Sequence, residues 1–378
     1  MLDSVELLKQ MIAIRSVNPL LPGSTAEDDE QELGHYIANY LQTAGIEVEL
    51  QQVKDGRCNI IGHVERSGRA DDAIILLTGH MDTYPANGPR SGYQPIQEGR
   101  DLYGRGSADA KGSLASMLTA FCAAAQSPHR REAYIAATID EECLLLGAQQ
   151  LTLHGMRPTL GITGEPTNLI PIVAQKGIIR GAFKVNGNGI HAAYPKQGSA
   201  IVSAAHLISA VESLNESYAR TPGSSTLGHP SITVTKMKSS GGMNLVAREV
   251  AVWFDARFLP GTTGEDFARK IEDELREILP EGVDFVMDPL TFISPANDAP
   301  LTIPVMTDLF SAITSVTGTC EPDRFSYGSE AGVLAQICEA SIVLGPGDAR
   351  YSHGKEEMIS IDQVESAVEI FRRILVGE

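Results

Sequence analysis

Apolar positions follow two different patterns along the chain. Up to about residue 176, short apolar runs alternate with segments in which apolar residues recur every three or four positions, the patterns of buried strands and amphipathic helices. The apolar runs cover 75–79, 133–139 and 160–163. Strands that alternate with helices indicate an α/β fold with a mainly parallel, doubly wound sheet that is covered on both faces.

The pattern changes between about residues 177 and 291. Longer strands with alternating apolar and polar residues are predicted at 178–185, 231–236 and 250–259. Two helical segments lie between and after these strands, at 200–218 and 265–279. This order is typical of helices packed on an antiparallel sheet. We therefore predict one α/β domain from residues 1–176 and 292–378, and an inserted α+β domain from residues 177–291.

Length and composition agree with two globular domains. At 378 residues the chain exceeds the size at which a single hydrophobic core usually stops growing. Its net charge of -18 argues against nucleic-acid binding, which depends on a basic surface. The five cysteines include no Cys-x-x-Cys pair, so neither a disulfide framework nor a thiolate zinc site is predicted. With no recognisable signal peptide and no apolar run of about 18 residues, we expect a cytoplasmic protein without membrane contact.

Histidines and acidic residues follow the predicted strands of the α/β domain. Imidazole and carboxylate groups without thiols are the ligands that zinc takes in hydrolytic sites, with cobalt or manganese as substitutes. Carboxylates gathered at one sheet edge would repel each other unless divalent cations were bound among them. Taken singly, each position also fits an acidic loop, a turn or a surface histidine. The residues are His80, Asp82, Asp109, Glu141, Glu142, Glu165 and His353.

These residues lie in five motifs. The motifs are Gly-His-Met-Asp at 79–82, Gly-Arg-Gly-Ser-Ala-Asp-Ala-Lys-Gly at 104–112, Asp-Glu-Glu at 140–142, Gly-Glu-Pro-Thr at 164–167, and Gly-Pro-Gly-Asp at 345–348 followed by His353. Together they resemble the metal motifs of the di-zinc amidohydrolase and peptidase family that includes acetylornithine deacetylase, succinyl-diaminopimelate desuccinylase, aminoacylase and carboxypeptidase G. The resemblance implies a metal-binding catalytic domain of the zinc-hydrolase type, an inserted lid and dimerisation domain, two Zn²⁺ per subunit and a homodimer.

The resemblance also assigns roles to the metal-binding residues. His80 and Glu165 would be terminal ligands of one zinc ion, and Glu142 and His353 would be terminal ligands of the other. Asp109 would bridge both ions and would be followed by a cis peptide bond. Co²⁺ and Mn²⁺ are the alternative ions for such a ligand set.

Two acidic residues near the ligands are expected to act without binding metal. Asp82 would accept a hydrogen bond from the second ring nitrogen of His80, which fixes the tautomer of the imidazole. Glu141 would act as general base and acid, because a free carboxylate can take a proton from the attacking water and return it to the departing amine. The water would attack an amide carbonyl that zinc polarises.

The inserted domain carries three further candidate residues. His191 ends an Asn-Gly-Ile-His segment that resembles the family element whose histidine stabilises the tetrahedral oxyanion from the partner subunit. Asn244 ends Gly-Gly-Met-Asn and Arg257 ends Asp-Ala-Arg, and both segments resemble elements that bind the α-carboxylate of the substrate. The plainer alternatives are an ordinary loop histidine and an ion pair between Arg257 and Asp255.

Local departures from the family pattern bear on the substrate. Tyr84 stands where many members have a small β-branched residue, and Ser352 replaces an alanine before the last histidine. The Tyr-Gly-Ser-Glu segment at 327–330 resembles the acetylornithine deacetylase branch more than the desuccinylase branch. We therefore predict hydrolysis of the amide bond of a small N-acyl-L-amino acid, with N-acetylornithine as the first candidate.

Two alternative classes of function stay open on the sequence, and a third lacks support. A dipeptidase, carboxypeptidase or succinyl-diaminopimelate desuccinylase would apply the same chemistry to another small substrate. A non-catalytic binding protein would keep the fold, although the ligands and the expected base are all present. A dehydrogenase would need a complete dinucleotide-binding fingerprint, and Gly-Arg-Gly-Ser at 104–107 does not supply one.

Overall fold

A computed structural model describes residues 2–26, 28–68, 70–194, 198–221, 223 and 226–378. The helices are α1 (Ser4–Ala13), α2 (Gln31–Thr43), α3 (Gly112–Ala125), α4 (Leu146–Leu151), α5 (Ala200–Arg220), α6 (Gly264–Ile278), α7 (Pro304–Thr317), α8 (Glu330–Leu334) and α9 (Ile361–Val376). Short helical turns cover Ser107–Lys111 and Ala349–Tyr351. In this described part of the chain, no helix combines the length and the apolar composition needed to cross a membrane.

The strands follow in chain order. They are β1 (Glu47–Lys54), β2 (Arg57–Val64), β3 (Ile74–His80), β4 (Ile96–Glu98), β5 (Asp101–Tyr103), β6 (Glu132–Thr138), β7 (Leu160–Thr163), β8 (Ile172–Gln175), β9 (Gly177–Asn186), β10 (Ser231–Ser239), β11 (Glu249–Phe258), β12 (Phe285–Met287), β13 (Phe292–Ser294), β14 (Asn297–Asp298), β15 (Asp323–Phe325), β16 (Ala340–Val343) and β17 (Met358–Ser360). A small sheet of order β17-β5-β4 stands apart from the two larger sheets.

Contacts between residues divide the chain into two compact units. The first unit contains Met1–Val173, Asp298–Asp323 and Ser329–Glu378, and the second contains Ala174–Asn297 and Arg324–Gly328. The sequence pattern placed the boundaries after residues 176 and 291 and did not separate 324–328. That segment belongs to the second unit through contacts distant in sequence, such as the bond from the Lys176 backbone N–H to the Phe325 carbonyl at 3.2 Å.

The central sheet of the first unit brings four parallel strands side by side. The order of its neighbouring strands is β1-β2-β6-β3-β7-β16. β3 runs parallel to β6 and to β7, and β16 runs parallel to β7. The predicted α/β fold is confirmed, and the sheet is mixed because β2 runs opposite to both of its neighbours.

β3 is buried on both faces, as its apolar run predicted. Ile75 and Leu77 pack into the core that includes α1, α3 and α9, and Leu76 packs into a smaller core on the other face. All three side chains are fully buried, and burying an aliphatic side chain stabilises a fold by about 1.5–3 kcal/mol. The end of β3 is therefore fixed inside the unit, and His80 is its last residue.

Glycines at two strand ends allow the start of α3 to approach the sheet closely. A Cβ atom added to Gly164 would lie 2.7 Å from Ser113 Cβ, and one added to Gly345 would overlap Ser113 Oγ. Any larger residue at these positions would push α3 away from the sheet. The helical turn before α3, which contains Asp109, is thereby held beside the strand ends.

The second unit is built around one long strand. β9 pairs with β11, β12 and β13, and β10 pairs with β11, all in antiparallel register. α5 and α6 pack around a core that includes Phe183, Phe254 and Phe267. The architecture predicted for the inserted domain, helices on an antiparallel sheet, is confirmed.

Candidate metal and catalytic site

The parallel strands of the first unit deliver polar side chains to one edge of the sheet. His80 ends β3, Glu141 and Glu142 follow β6, Glu165 follows β7, and His353 follows β16 through the turn at 349–351. The carboxyl ends of neighbouring parallel strands meet at the same edge, which is where open α/β sheets bind ligands. The structure therefore brings together residues that are up to 273 positions apart, from His80 to His353.

Asp109 lies between the two histidines. Its Oδ1 is 3.1 Å from His80 Nε2, and its Oδ2 is 3.2 Å from His353 Nε2. Each carboxylate oxygen thus faces a different imidazole, the arrangement that a carboxylate bridging two metal ions requires. The peptide bond from Asp109 to Ala110 is cis, as the resemblance implied.

The other candidate ligands lie beside the two histidines. Glu165 Oε1 lies 3.8 Å from His80 Nε2, and Glu142 Oε1 lies 2.9 Å from His353 Nε2. In the described part of the chain, His80, Glu141 and Glu165 form one group whose ligand atoms lie close enough together to hold a metal ion, and His80, Asp109 and Glu142 form another. Within the described residues, Glu165 Oε1 is buried without a hydrogen-bond partner. Two imidazoles and several carboxylates without a thiol are a donor set that fits two zinc-like ions.

The electrostatics of the site favour a bound cation. Removal from solvent raises the pKa of Glu141 and of Glu165 well above the ordinary value, and repulsion between the carboxylates raises both further. Burial together with the charge of Asp109 raises the pKa of Glu142 to about 7. Divalent cations among these groups would offset both the burial and the repulsion.

Asp82 lies beside His80 and also contacts the segment after β6. His80 Nδ1 lies 2.9 Å from the main-chain carbonyl oxygen of Asp82 and 3.5 Å from its carboxylate Oδ1. The carboxylate also accepts the backbone N–H groups of Glu141 and Glu142, each at 3.0 Å. Both the main-chain carbonyl and the carboxylate of Asp82 are therefore within reach of His80 Nδ1, and the Asp82 side chain also holds the segment that carries Glu141.

Asn18 supports that segment and was not predicted from the sequence. Its buried side chain donates to Asp82 Oδ2 at 2.8 Å and to Asp140 Oδ1 at 2.9 Å, so one amide separates two carboxylates. Asp140 also lies 3.5 Å from the guanidinium of Arg57. Nothing near residue 18 in the sequence marks this role, because both partners are distant along the chain.

A second unpredicted network holds Asp109. The buried side chains of Arg105 and Glu357 pair at 2.6 Å between Nη1 and Oε2. Glu357 Oε1 accepts the backbone N–H of Asp109 at 3.1 Å, and Arg105 Nη2 donates to the Gly354 carbonyl at 3.2 Å. The pair joins the turn of Asp109 to the segment after His353. Removing one partner of such a buried pair typically costs about 3–5 kcal/mol.

The remaining sequence candidates lie in the second unit. His191 is exposed, and its Nδ1 accepts the backbone N–H of Ala193 at 3.2 Å. Asn244 is exposed in a loop. Arg257 donates to both carboxylate oxygens of Asp255, at 2.6 Å and 3.2 Å. This is the ion pair that the sequence analysis gave as the alternative to substrate binding. Its Nη1 is buried and has no hydrogen-bond partner among the described residues.

Two solved structures share this fold over nearly the whole chain. Aminopeptidase PepT from Bacillus cereus superposes with a TM-score of 0.79 at 20% identity and covers 99% of this chain and 98% of its own. A dinuclear metal-binding peptidase of the M20 family from Bacillus subtilis has a TM-score of 0.70 at 13% identity and covers 99% and 97%. At these identities the likeness establishes the fold.

Sequence comparison identifies the family. The chain is 27% identical over 385 residues to an acetylornithine deacetylase from Aliivibrio salmonicida, across 98% of this chain and 97% of that protein. An acetylornithine deacetylase from Vibrio cholerae is 28% identical over 365 residues and is covered to 92%, as is this chain. Residues 76–376 match the family model of peptidase family M20/M25/M40, which confirms the resemblance seen in the motifs. The chain therefore belongs to peptidase family M20/M25/M40 and is a metal-dependent hydrolase.

Proposed function

We propose that this chain hydrolyses the amide bond of a small N-acyl-L-amino acid, with N-acetylornithine as the first candidate, and that it uses two zinc ions per subunit. The observation that carries the proposal is the position of Asp109, whose two carboxylate oxygens face His80 and His353 at 3.1 Å and 3.2 Å. The similarity to acetylornithine deacetylases over nearly the whole chain supports the choice of substrate.

The proposed ligands divide into two sets that share Asp109. His80 and Glu165 would hold one ion, and Glu142 and His353 would hold the other. When bound, the ions would supply Lewis-acid polarisation of the scissile carbonyl and would lower the pKa of the attacking water. The buried pair of Arg105 and Glu357 keeps the backbone of Asp109 in place for this role.

Glu141 is the proposed general base and acid. As the water oxygen bonds to the carbonyl carbon, the Glu141 carboxylate takes one proton from the water. The C–N bond then breaks, and Glu141 delivers that proton to the departing nitrogen, which leaves a carboxylic acid and a free amine. The hydrogen bond from the Glu141 N–H to Asp82 Oδ1, at 3.0 Å, fixes the start of the side chain.

Three residues of the second unit complete the proposal. His191 would stabilise the tetrahedral oxyanion from the partner subunit of a homodimer, and Asn244 and Arg257 would bind the α-carboxylate of the substrate. The buried Nη1 of Arg257, which lacks a hydrogen-bond partner among the described residues, supports the carboxylate assignment. These roles rest on the resemblance of the segments around the three residues to family elements.

Mixing two inactive variants tests the homodimer and the role of His191. His191→Ala is expected to lower kcat by about 100- to 1,000-fold, the usual effect of losing one oxyanion donor, with metal content unchanged. Joint refolding with Glu141→Gln should restore activity, because mixed dimers contain one site with both groups intact. Two differently tagged His191→Ala samples serve as the control and should stay inactive. Persistent inactivity of the first mixture would count against action across the interface.

A substrate panel tests the proposed reaction. Zinc- and cobalt-loaded protein is compared on N-acetylornithine, other N-acetyl amino acids, N-succinyl-diaminopimelate and simple dipeptides, with the released amine measured. We expect the highest kcat/KM for N-acetylornithine, a fall to background after chelation, and recovery when zinc returns. A preference for dipeptides would instead favour a metallopeptidase, as in the structural neighbours. Bound metal without hydrolysis of any compound would favour a non-catalytic binding protein.

A further inference from the structure

The ring of Tyr84 stacks on the ring of His353. Their centroids are 3.8 Å apart and their planes differ by 25°. Tyr84 is half-buried in the segment that follows β3, whereas His353 follows β16, so the contact joins two segments that are distant in the sequence. The stack restrains the plane of the imidazole that faces Asp109 and Glu142.

His353 needs such a restraint more than the other proposed ligands do. Its side chain is 40% exposed, whereas the side chains of His80 and Asp109 are 1% and 12% exposed. Its backbone lies in the left-handed region with a φ of 59°, outside any helix or strand. Asn87 Nδ2 donates to its carbonyl oxygen at 3.0 Å, and that bond holds the backbone rather than the ring.

We propose that Tyr84 is a positioning residue that pre-orients His353 for the second metal ion. The inference rests on the proposed two-ion site. A ligand that is already oriented loses less conformational freedom when the ion binds. The free energy of an aromatic stack corresponds to a change of about 3- to 10-fold in the affinity of that ion.

Metal binding separates this role from a general packing effect. Metal-free protein is titrated with Co²⁺ in competition with a chromophoric chelator, and the bound ions are counted from the visible absorption of Co²⁺. The variants are Tyr84→Val, Tyr84→Leu and Tyr84→Phe. Tyr134→Val is the matched control, because Tyr134 stacks on His63 at 4.4 Å and 18°, and His63 has no proposed role in metal binding. Thermal unfolding of the metal-free variants shows that each one is folded.

The expected result is a change in one ion only. In Tyr84→Val and Tyr84→Leu, the dissociation constant of one of the two ions should rise about 3- to 10-fold, while the other ion is bound as in the wild type. Tyr84→Phe and Tyr134→Val should bind both ions as the wild type does. Unchanged affinity in Tyr84→Val and Tyr84→Leu overturns the inference, as does an equal loss in Tyr84→Phe. Wild-type protein that binds fewer than two ions overturns the proposed two-ion site, and the inference with it.

Discussion

Replacing Glu141 with glutamine is expected to lower kcat by about 100- to 10,000-fold, the usual contribution of a positioned general base. The amide of glutamine keeps the size of the side chain but cannot take the proton of the attacking water. The backbone N–H of residue 141 would still donate to Asp82 Oδ1, so the segment should keep its position. Metal content, measured by elemental analysis, should therefore stay near that of the wild type.

Two control variants are compared with Glu141→Gln. Glu142→Gln changes the neighbouring carboxylate, which faces His353 at 2.9 Å, and should lower metal content as well as kcat. Glu132→Gln changes a partly exposed carboxylate near the opposite end of β6 and should leave both unchanged. If Glu141→Gln turned over substrate as fast as the wild type, Glu141 would not be the base. If Glu141→Gln lost metal to the same degree as Glu142→Gln, Glu141 would be a metal ligand instead.

Asp109→Asn should prevent two metal ions from binding to the site at the same time. The side-chain amide keeps one oxygen but replaces the other with a nitrogen that cannot ligate, so a bridge between His80 and His353 is no longer available. We expect at most one tightly bound ion, an affinity loss of more than about 100-fold for the other, and a comparable loss in kcat/KM. Competition with a chelator, followed by elemental analysis, measures both affinities.

Asp101→Asn is the matched control for the bridge. Asp101 lies in β5, outside the groups that gather around His80, and its replacement should leave two ions bound. Thermal unfolding of the metal-free proteins separates loss of the bridge from loss of the fold, because Glu357 still accepts the backbone N–H of residue 109 in the variant. Retention of two ions with wild-type affinity by Asp109→Asn would rule out the bridging role.

Local patterns in the sequence reveal the fold class and the residues at the strand ends. The apolar run of β3 requires burial on both faces, and the structure shows Leu76 and Leu77 in cores on opposite sides. A polar residue directly after such a strand must lie at the sheet edge, which is how His80 and Glu165 were found. The strand and helix patterns of 177–291 predicted the architecture of the second unit in the same way. The side of an element that faces the core must be apolar, so apolar residues recur with the period of that strand or helix.

Only the tertiary structure shows how those residues are held. Asn18 meets Asp82 across 64 positions, and Arg105 meets Glu357 across 252. In each case the partner is determined by how separate elements pack against each other. The periodicity of apolar residues within one element does not predict such long-range contacts. The same holds for the second role of Asp82, whose carboxylate, besides lying beside His80, accepts the backbone N–H groups of Glu141 and Glu142 beyond β6.

The sequence by itself determined the sheet and the chemistry available at its edge, because strand periodicity and residue type are local properties. The tertiary structure decided which oxygen faces which imidazole, which buried pair supports Asp109, and which ring stacks on His353. Those contacts depend on distances between segments that only a packed chain defines.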